Sequence, residues 1–298
     1  MNGNKTFEEL TIRDNFMFSA VMATDSENCR LILERTLDMP IDRVKVVTEK
    51  TMVYHPEFKG IRLDVYAKEQ TAKGVVDRHF DVEMQVANKK IFKRSRYYHS
   101  QMDMEILNTG LSYEELPDTY VIFICDFDPV GLGKYKYTLR FTFAEDNTYE
   151  YNDGTHTVFL NTKGTNQNEV PASLVSFLKY VGSELEDSEL DYDDPLVKRL
   201  QKTVSQVKSD REMGVKYMLF EEMLKDEFKA GKIEGKIEGK IEDIKDLLAD
   251  VGTITQTLDD KLVMISDKDI IRTLHKKAAR VSSIEEFEEE LNKLTASE

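Results

Sequence analysis

Two short runs constrain this chain most. Residues 60–67 (Gly-Ile-Arg-Leu-Asp-Val-Tyr-Ala) and 79–86 (His-Phe-Asp-Val-Glu-Met-Gln-Val) alternate apolar and polar side chains with the period of a β-strand. The polar stretch between them, residues 68–78 with Gly74, reads as a hairpin loop. A hairpin of this kind brings Asp64 beside Glu83, and Gln85, in phase with Glu83, leaves the same face. Acids on strands commonly sit on a solvated face. Here Asp64 lies between Leu63 and Val65 and Glu83 between Val82 and Met84, so both interrupt strands apolar enough to be buried. Converging carboxylates with no thiol or imidazole make a hard oxygen site suited to Mg²⁺ or Mn²⁺. A basic helix is expected directly afterwards, and acids that hold a metal beside such a helix suit phosphodiester hydrolysis.

The formal net charge of −15 argues against a general nucleic-acid coat, but local charge decides. Residues 88–96 contain Lys89, Lys90, Lys93, Arg94 and Arg96. They form either a solvated helix start or, given the acids just before them, a phosphate-contacting surface. Much of the acid excess lies in the C-terminal third. Cys29 and Cys125 read as buried small residues rather than a disulfide or a metal pair. The polar N-terminus has no apolar signal core and no apolar run reaches membrane-spanning length, so a cytoplasmic protein with no membrane partner is expected. His55, His79, His99, His156 and His275 show no metal-ligand spacing and read as surface or structural groups, His99 being the possible exception because it follows Arg96-Tyr-Tyr. There is no phosphate-cradling glycine loop and no nucleophile elbow, and Asp126 and Asp128 read as turn residues.

The pattern predicts an α/β fold: a mixed sheet flanked by helices, followed by an all-helical C-terminal region. Helices are expected over residues 14–23 and 26–37, the second capped by Ser26, and over 92–109. Strands are expected over 44–48, the two runs above, 120–126, 135–143, 148–151 and 157–160. Four segments follow: a core over residues 1–170, a helical extension over 171–230, a repeat over 231–242 and a small helical module over 243–298. Asp194 before Pro195 marks one helix start in the extension, and Ser283 with Glu286 suggests a capping box in the last helix. The repeat, three copies of Gly-Lys-Ile-Glu, keeps Ile233, Ile237 and Ile241 nearly on one helix face. Each glycine costs about 1 kcal/mol relative to alanine in a helix, so the repeat is either a linker or a helix that needs a partner surface. A homo-oligomer through the C-terminal helical region is the expected assembly.

These residues resemble the PD-(D/E)XK nuclease superfamily, in which an Asp and a Glu-x-Lys on adjacent strands bind a metal. More narrowly, the chain resembles the recombination-promoting nuclease/transposase (Rpn) family. The matching stretches are Leu10-Thr-Ile-Arg-Asp-Asn-Phe-Met-Phe18, Gly60-Ile-Arg-Leu-Asp-Val-Tyr-Ala67, Asp81-Val-Glu-Met-Gln85 and Lys93-Arg-Ser-Arg-Tyr-Tyr-His-Ser100. Residues 116–127 and 159–164 also match, so the resemblance covers roughly the first 180 residues in order. It implies an endonuclease dependent on Mg²⁺, with Mn²⁺ as an alternative, that cuts DNA in recombination or mobile-element movement. Asp64 and Glu83 would bind the metal, and Gln85 stands where the superfamily has lysine, with Arg96 a candidate to replace that charge. Lys93, Arg94, Arg96 and Tyr98 are the candidate substrate contacts, Tyr98 having helix packing as its other role. In the resemblance a polar residue of the first helix approaches the metal. Asp14 is therefore either that accessory residue or a helix N-cap. The lost lysine also leaves an alternative, a catalytically degenerate nucleic-acid-binding or oligomeric scaffold module.

Overall fold

Six strands form one mixed sheet in the order β1-β2-β3-β4-β6-β5. The strands are β1 Arg43–Met52, β2 Ile61–Gln70, β3 Arg78–Gln85, β4 Asp118–Cys125, β5 Lys136–Thr138 and β6 Thr155–Asn161. The structure, a computed structural model, describes residues 5–52, 60–70, 78–107, 109–265 and 267–295. The centre of the expected hairpin loop, with Gly74, lies outside the described residues, as does His55. The β1–β2 and β2–β3 pairs are antiparallel, and β4 and β6 continue the sheet in parallel from β3. β5 closes the far edge antiparallel to β6. A parallel β3–β4 pair needs a crossover, and helix α3, Phe92–Ile106, supplies it. This order puts the start of α3 a few residues beyond Gln85, above the sheet.

Helices α1, Asn15–Thr24, and α2, Ser26–Leu37, pack on β1. Asp25, extended at φ −147, caps α2 by accepting the Glu27 N–H at 3.0 Å, so the cap stands one residue before the expected Ser26. Helix α4 spans Ala172–Val181 and α5 spans Pro195–Ser209, with Asp194 accepting the Val197 N–H as its cap. Cys29 and Cys125 are both free and buried.

The strands expected over 135–143 and 148–151 contract to β5 and one bridge between Thr142 and Glu150. Leu139, Phe141, Phe143, Tyr149 and Tyr151 stay exposed there, and the Phe143 ring packs on those of Tyr149 and Tyr151. Alternation alone does not make a strand where no sheet surface covers the apolar side.

The chain divides into two compact units, residues 1–217 and 218–298, with the boundary inside helix α6, Arg211–Ala249. The Gly-Lys-Ile-Glu repeat lies within this continuous helix. In the first unit Leu63, Tyr66, Tyr98, Met102, Val121 and Phe123 form a core between α3 and the sheet. In the second, α6 joins α7 Gln256–Val263, α8 Lys268–Ala278 and α9 Ile284–Thr295 around Ile244, Leu248, Leu262, Leu274 and Phe287. No helix among the described residues is long and apolar enough to cross a membrane.

Candidate active site

β3 is buried from His79 to Gln85. Its odd-numbered positions, His79, Asp81, Glu83 and Gln85, share one face, and Arg94 and Tyr98 of α3 cover the Glu83–Gln85 end of it. Each strand's carboxylate takes a backbone donor from its neighbour. The Asp64 N–H donates to Glu83 Oε1 at 2.9 Å, and the Met84 N–H donates to Asp64 Oδ2 at 3.1 Å. These bonds fix both acids where β2 meets β3. Asp64 is 8% exposed and Glu83 fully buried.

One guanidinium organises the opposite side. Arg94 donates to Glu83 Oε2, to Gln85 Oε1 at 2.7 Å and to the Tyr98 hydroxyl at 2.7 Å. It lies over the Tyr98 and Phe123 rings, 5.0 and 5.4 Å from their centroids, with its side chain 37% exposed. Gln85 also donates to the Ala87 carbonyl at 2.7 Å, so its amide is held at both ends. Arg94 therefore occupies the position expected for Arg96, which is exposed on α3. The reason is helical phase: Arg94 and Tyr98 are four residues apart and face the sheet together, whereas Arg96 points away. Lys89, Lys90 and Lys93 are exposed near the start of the same helix, and Tyr98 is buried.

Asp14 stands at the N-cap position of α1, but its side chain makes no cap bond to the helix. It precedes α1, pairs with Lys5 at 2.8 Å and accepts the Thr11 N–H at 2.8 Å. Its neighbour Asn15 reaches the site instead, donating to Asp64 Oδ2 at 3.4 Å. Asp128 accepts the N–H groups of Val130, Gly131 and Gly133, and Asp126 pairs with Arg13 and Lys163, so both serve turn and loop structure. Among the histidines, His79 bonds the Tyr66 hydroxyl and His99 bonds the hydroxyls of Thr119 and Thr157 at 2.9 Å, both structural roles.

Two acids near the pair were not singled out by the sequence pattern. Asp81 is fully buried and neither carboxylate oxygen has a hydrogen-bond partner among the described residues. The available signal was its phase, two residues before Glu83. Glu49 lies where the β1–β2 register passes from Thr48–Val65 to Lys50–Leu63, opposite Asp64. Its φ of 54° is unusual for a residue with a Cβ, a local strain of about 1–3 kcal/mol, and it pairs with Arg62 at 3.0 Å. Nothing in the sequence marks that kink.

Crowded carboxylates resist ionisation. Burial, then the Glu83 charge, pushes the Asp64 carboxyl up to about 8. Burial also raises Glu83, with Arg94 opposing the rise, and lifts Asp81 well above the usual carboxylate range, with Glu83 and Asp64 adding to it. The donor chemistry fits a hard divalent cation: oxygens only, excess negative charge, and on Asp64 bonds from Asn15 and Met84 that both fall on Oδ2. Among the described residues no three His, Cys, Asp or Glu side chains already converge on a coordinating point.

A family model described as PD-(D/E)XK nuclease family transposase matches residues 13–231, more than half of the chain. No curated protein and no solved structure matches it. Nucleases of this superfamily generally use divalent metals and act on nucleic acid. The mixed sheet, the acid pair on adjacent strands and the crossover helix agree with that match, and the chain belongs to the PD-(D/E)XK nuclease family transposases.

Proposed function

We propose that this protein is a divalent-metal-dependent DNA endonuclease, with Mg²⁺ as the first choice of ion and Mn²⁺ as a substitute. The observation that carries the reading is the pair Asp64 and Glu83, buried side by side and each locked by an N–H from the neighbouring strand. Asp64 and Glu83 would hold the cation. When bound, it lowers the pKa of a coordinated water and offsets charge on the phosphate. Gln85, held at both ends, presents a fixed amide that orients the water or the phosphate. Arg94 supplies the positive charge that lysine gives elsewhere in the superfamily, and Tyr98 accepts a bond that steadies the guanidinium. Lys93 and Arg96, exposed on α3, contact backbone phosphates of the duplex. No covalent intermediate with the protein is needed.

Supercoiled plasmid incubated with Mg²⁺, with Mn²⁺ and with EDTA tests the proposal. Nicking with the metals and none with EDTA is the expected result; intact plasmid in all three tubes would refute it. The second reading, a degenerate binding module, draws on the Arg94–Glu83 bond, which occupies one of the acid's oxygens. Retarded but uncut DNA would favour it.

We also propose self-association through the C-terminal helical region. Met218, Leu219, Met223, Phe228 and Ile233 are exposed along α6, more apolar surface than a solvated helix carries. Light scattering of the intact chain against a chain ended at Tyr217, which lacks all five, tests this, with equal chain-normalised masses opposing it.

A further inference from the structure

We propose that Asp81 is a third carboxylate of the cation centre, acting with Asp64 and Glu83 on a single divalent ion. This rests on the cation-dependent reading above.

The first ground is hydrogen-bond bookkeeping along one face of the sheet. His79 has the Tyr66 hydroxyl, Gln85 has Arg94 and the Ala87 carbonyl, and His99 has two threonine hydroxyls. Glu83 has the Asp64 N–H and Arg94. Asp81, between His79 and Glu83, is 0% exposed and has no hydrogen-bond partner of good geometry on either oxygen among the described residues, with the Glu83 carboxyl beside it in place of a donor. A carboxylate accepts about four hydrogen bonds, and leaving one bare in the interior costs several kcal/mol. Groups of this kind call for a ligand or a catalytic use.

The second ground is charge. Asp64, Asp81 and Glu83 lie together, and Arg94 is the guanidinium that meets them. Lys50 and Lys68 lie over the ring of Tyr66, the cross-strand partner of Asp81, and Lys50 also pairs with Glu105. Once the ion has displaced their protons, three carboxylates and one guanidinium leave two negative charges, which one divalent ion balances. Two carboxylates with Arg94 and the same ion would leave a buried positive charge.

The third ground is placement. Asp81 is two residues from Glu83 on the same strand face, so Glu83 stands between Asp81 and the Asp64 side of the cluster. No three acids among the described residues already converge, and Asp81, held by no hydrogen bond, is the side chain that turns toward the two fixed ones when the ion binds.

The test is calorimetric titration of the full-length chain with Mn²⁺, without DNA, on the parent protein, Asp81→Asn and Asp64→Asn. Matched circular dichroism is the control for folding. The parent should take up one Mn²⁺, and Asp81→Asn should bind it about tenfold more weakly or worse. Asp81→Ser serves the same purpose should the amide variant fail to fold. If Asp81→Asn binds Mn²⁺ as tightly as the parent while Asp64→Asn loses it, Asp81 is a structural acid and this inference falls alone. If the parent binds neither Mn²⁺ nor Mg²⁺, the cation reading of the site falls with it.

Discussion

The two units of this chain bury opposite kinds of chemistry. Along β3 the first unit buries His79, Asp81, Glu83 and Gln85 in succession beneath its crossover helix. The second unit closes around Ile244, Leu248, Leu258, Leu262, Ile271, Leu274, Phe287 and Leu291, all apolar. An apolar core is the cheaper way to stabilise a domain. Buried acids cost stability, so a fold that keeps them in a row spends that cost on chemistry. The contrast separates a unit that works from a unit that holds together.

The sharpest way to break that contrast is at the acids. Asp64→Ala and Glu83→Ala should each lower plasmid nicking on the order of 10²–10³-fold with little change in circular dichroism. Variants that cut at the parent rate would place the chemistry elsewhere. The converse experiment is Phe287→Ala. This ring is fully buried in the second unit, and its loss should cost about 3–5 kcal/mol there. Urea unfolding should show that loss while nicking stays at the parent rate; a matching fall in nicking would mean that the two units are not separable.

A smaller effect comes from two buried histidines, His79 on β3 and His99 on α3. Burial lowers His99 to about 4, with His156 adding to the shift, and burial lowers His79 to about 4 with help from Lys68 and Lys50. Unfolded imidazoles protonate near 6.5. Between about pH 4 and 6.5 the unfolded state therefore binds more protons than the native one, so this contribution to stability is complete above 6.5 and falls as pH drops. Each pKa unit corresponds to about 1.4 kcal/mol. Asp64 works in the opposite direction, since its raised carboxyl favours the native state at low pH and loses that advantage as pH rises through about 8. The difference between the parent and His99→Gln isolates the imidazole. The variant should be less sensitive to acid between pH 7 and 5 in urea titrations, and parallel curves would show that His99 is protonated in the fold.

The smallest effect concerns the exposed cations. Lys93→Gln with Arg96→Gln leaves Arg94 in place. It should flatten the dependence of log Kd on log salt by roughly two, one released counterion for each lost contact. Fluorescence anisotropy with a short duplex measures it, and an unchanged slope would move the DNA surface away from α3.

What could be read from the sequence followed period and phase. Alternation with period two located β2 and β3 and put Asp64, Glu83 and Gln85 on one face, and apolar neighbours signalled their burial. The same rule puts Asp81 on that face, two residues before Glu83. Arg94 was harder. Chain length after Gln85 allows both Arg94 and Arg96 to return, and the choice depends on where α3 starts, at Phe92. Asp14 was undecided because its partner Lys5 lies nine residues earlier, beyond any local pattern. Glu49 was not legible at all, because its kink arises only when β1 is laid against β2.

The guanidinium at the centre of the site has a consequence for regulation. Amines can be acetylated, and an amine at the lysine position of a nuclease is open to that modification in principle. Here the charge that meets Glu83 and Gln85 comes from Arg94, which acyl donors do not neutralise and which keeps its proton at every pH a fold survives. Acetylation of Lys89, Lys90 and Lys93 would thin the field around the DNA and leave the inner charge intact. On the proposed function, acyl groups on those lysines would loosen the hold on a duplex and leave the charge beside Glu83 in place.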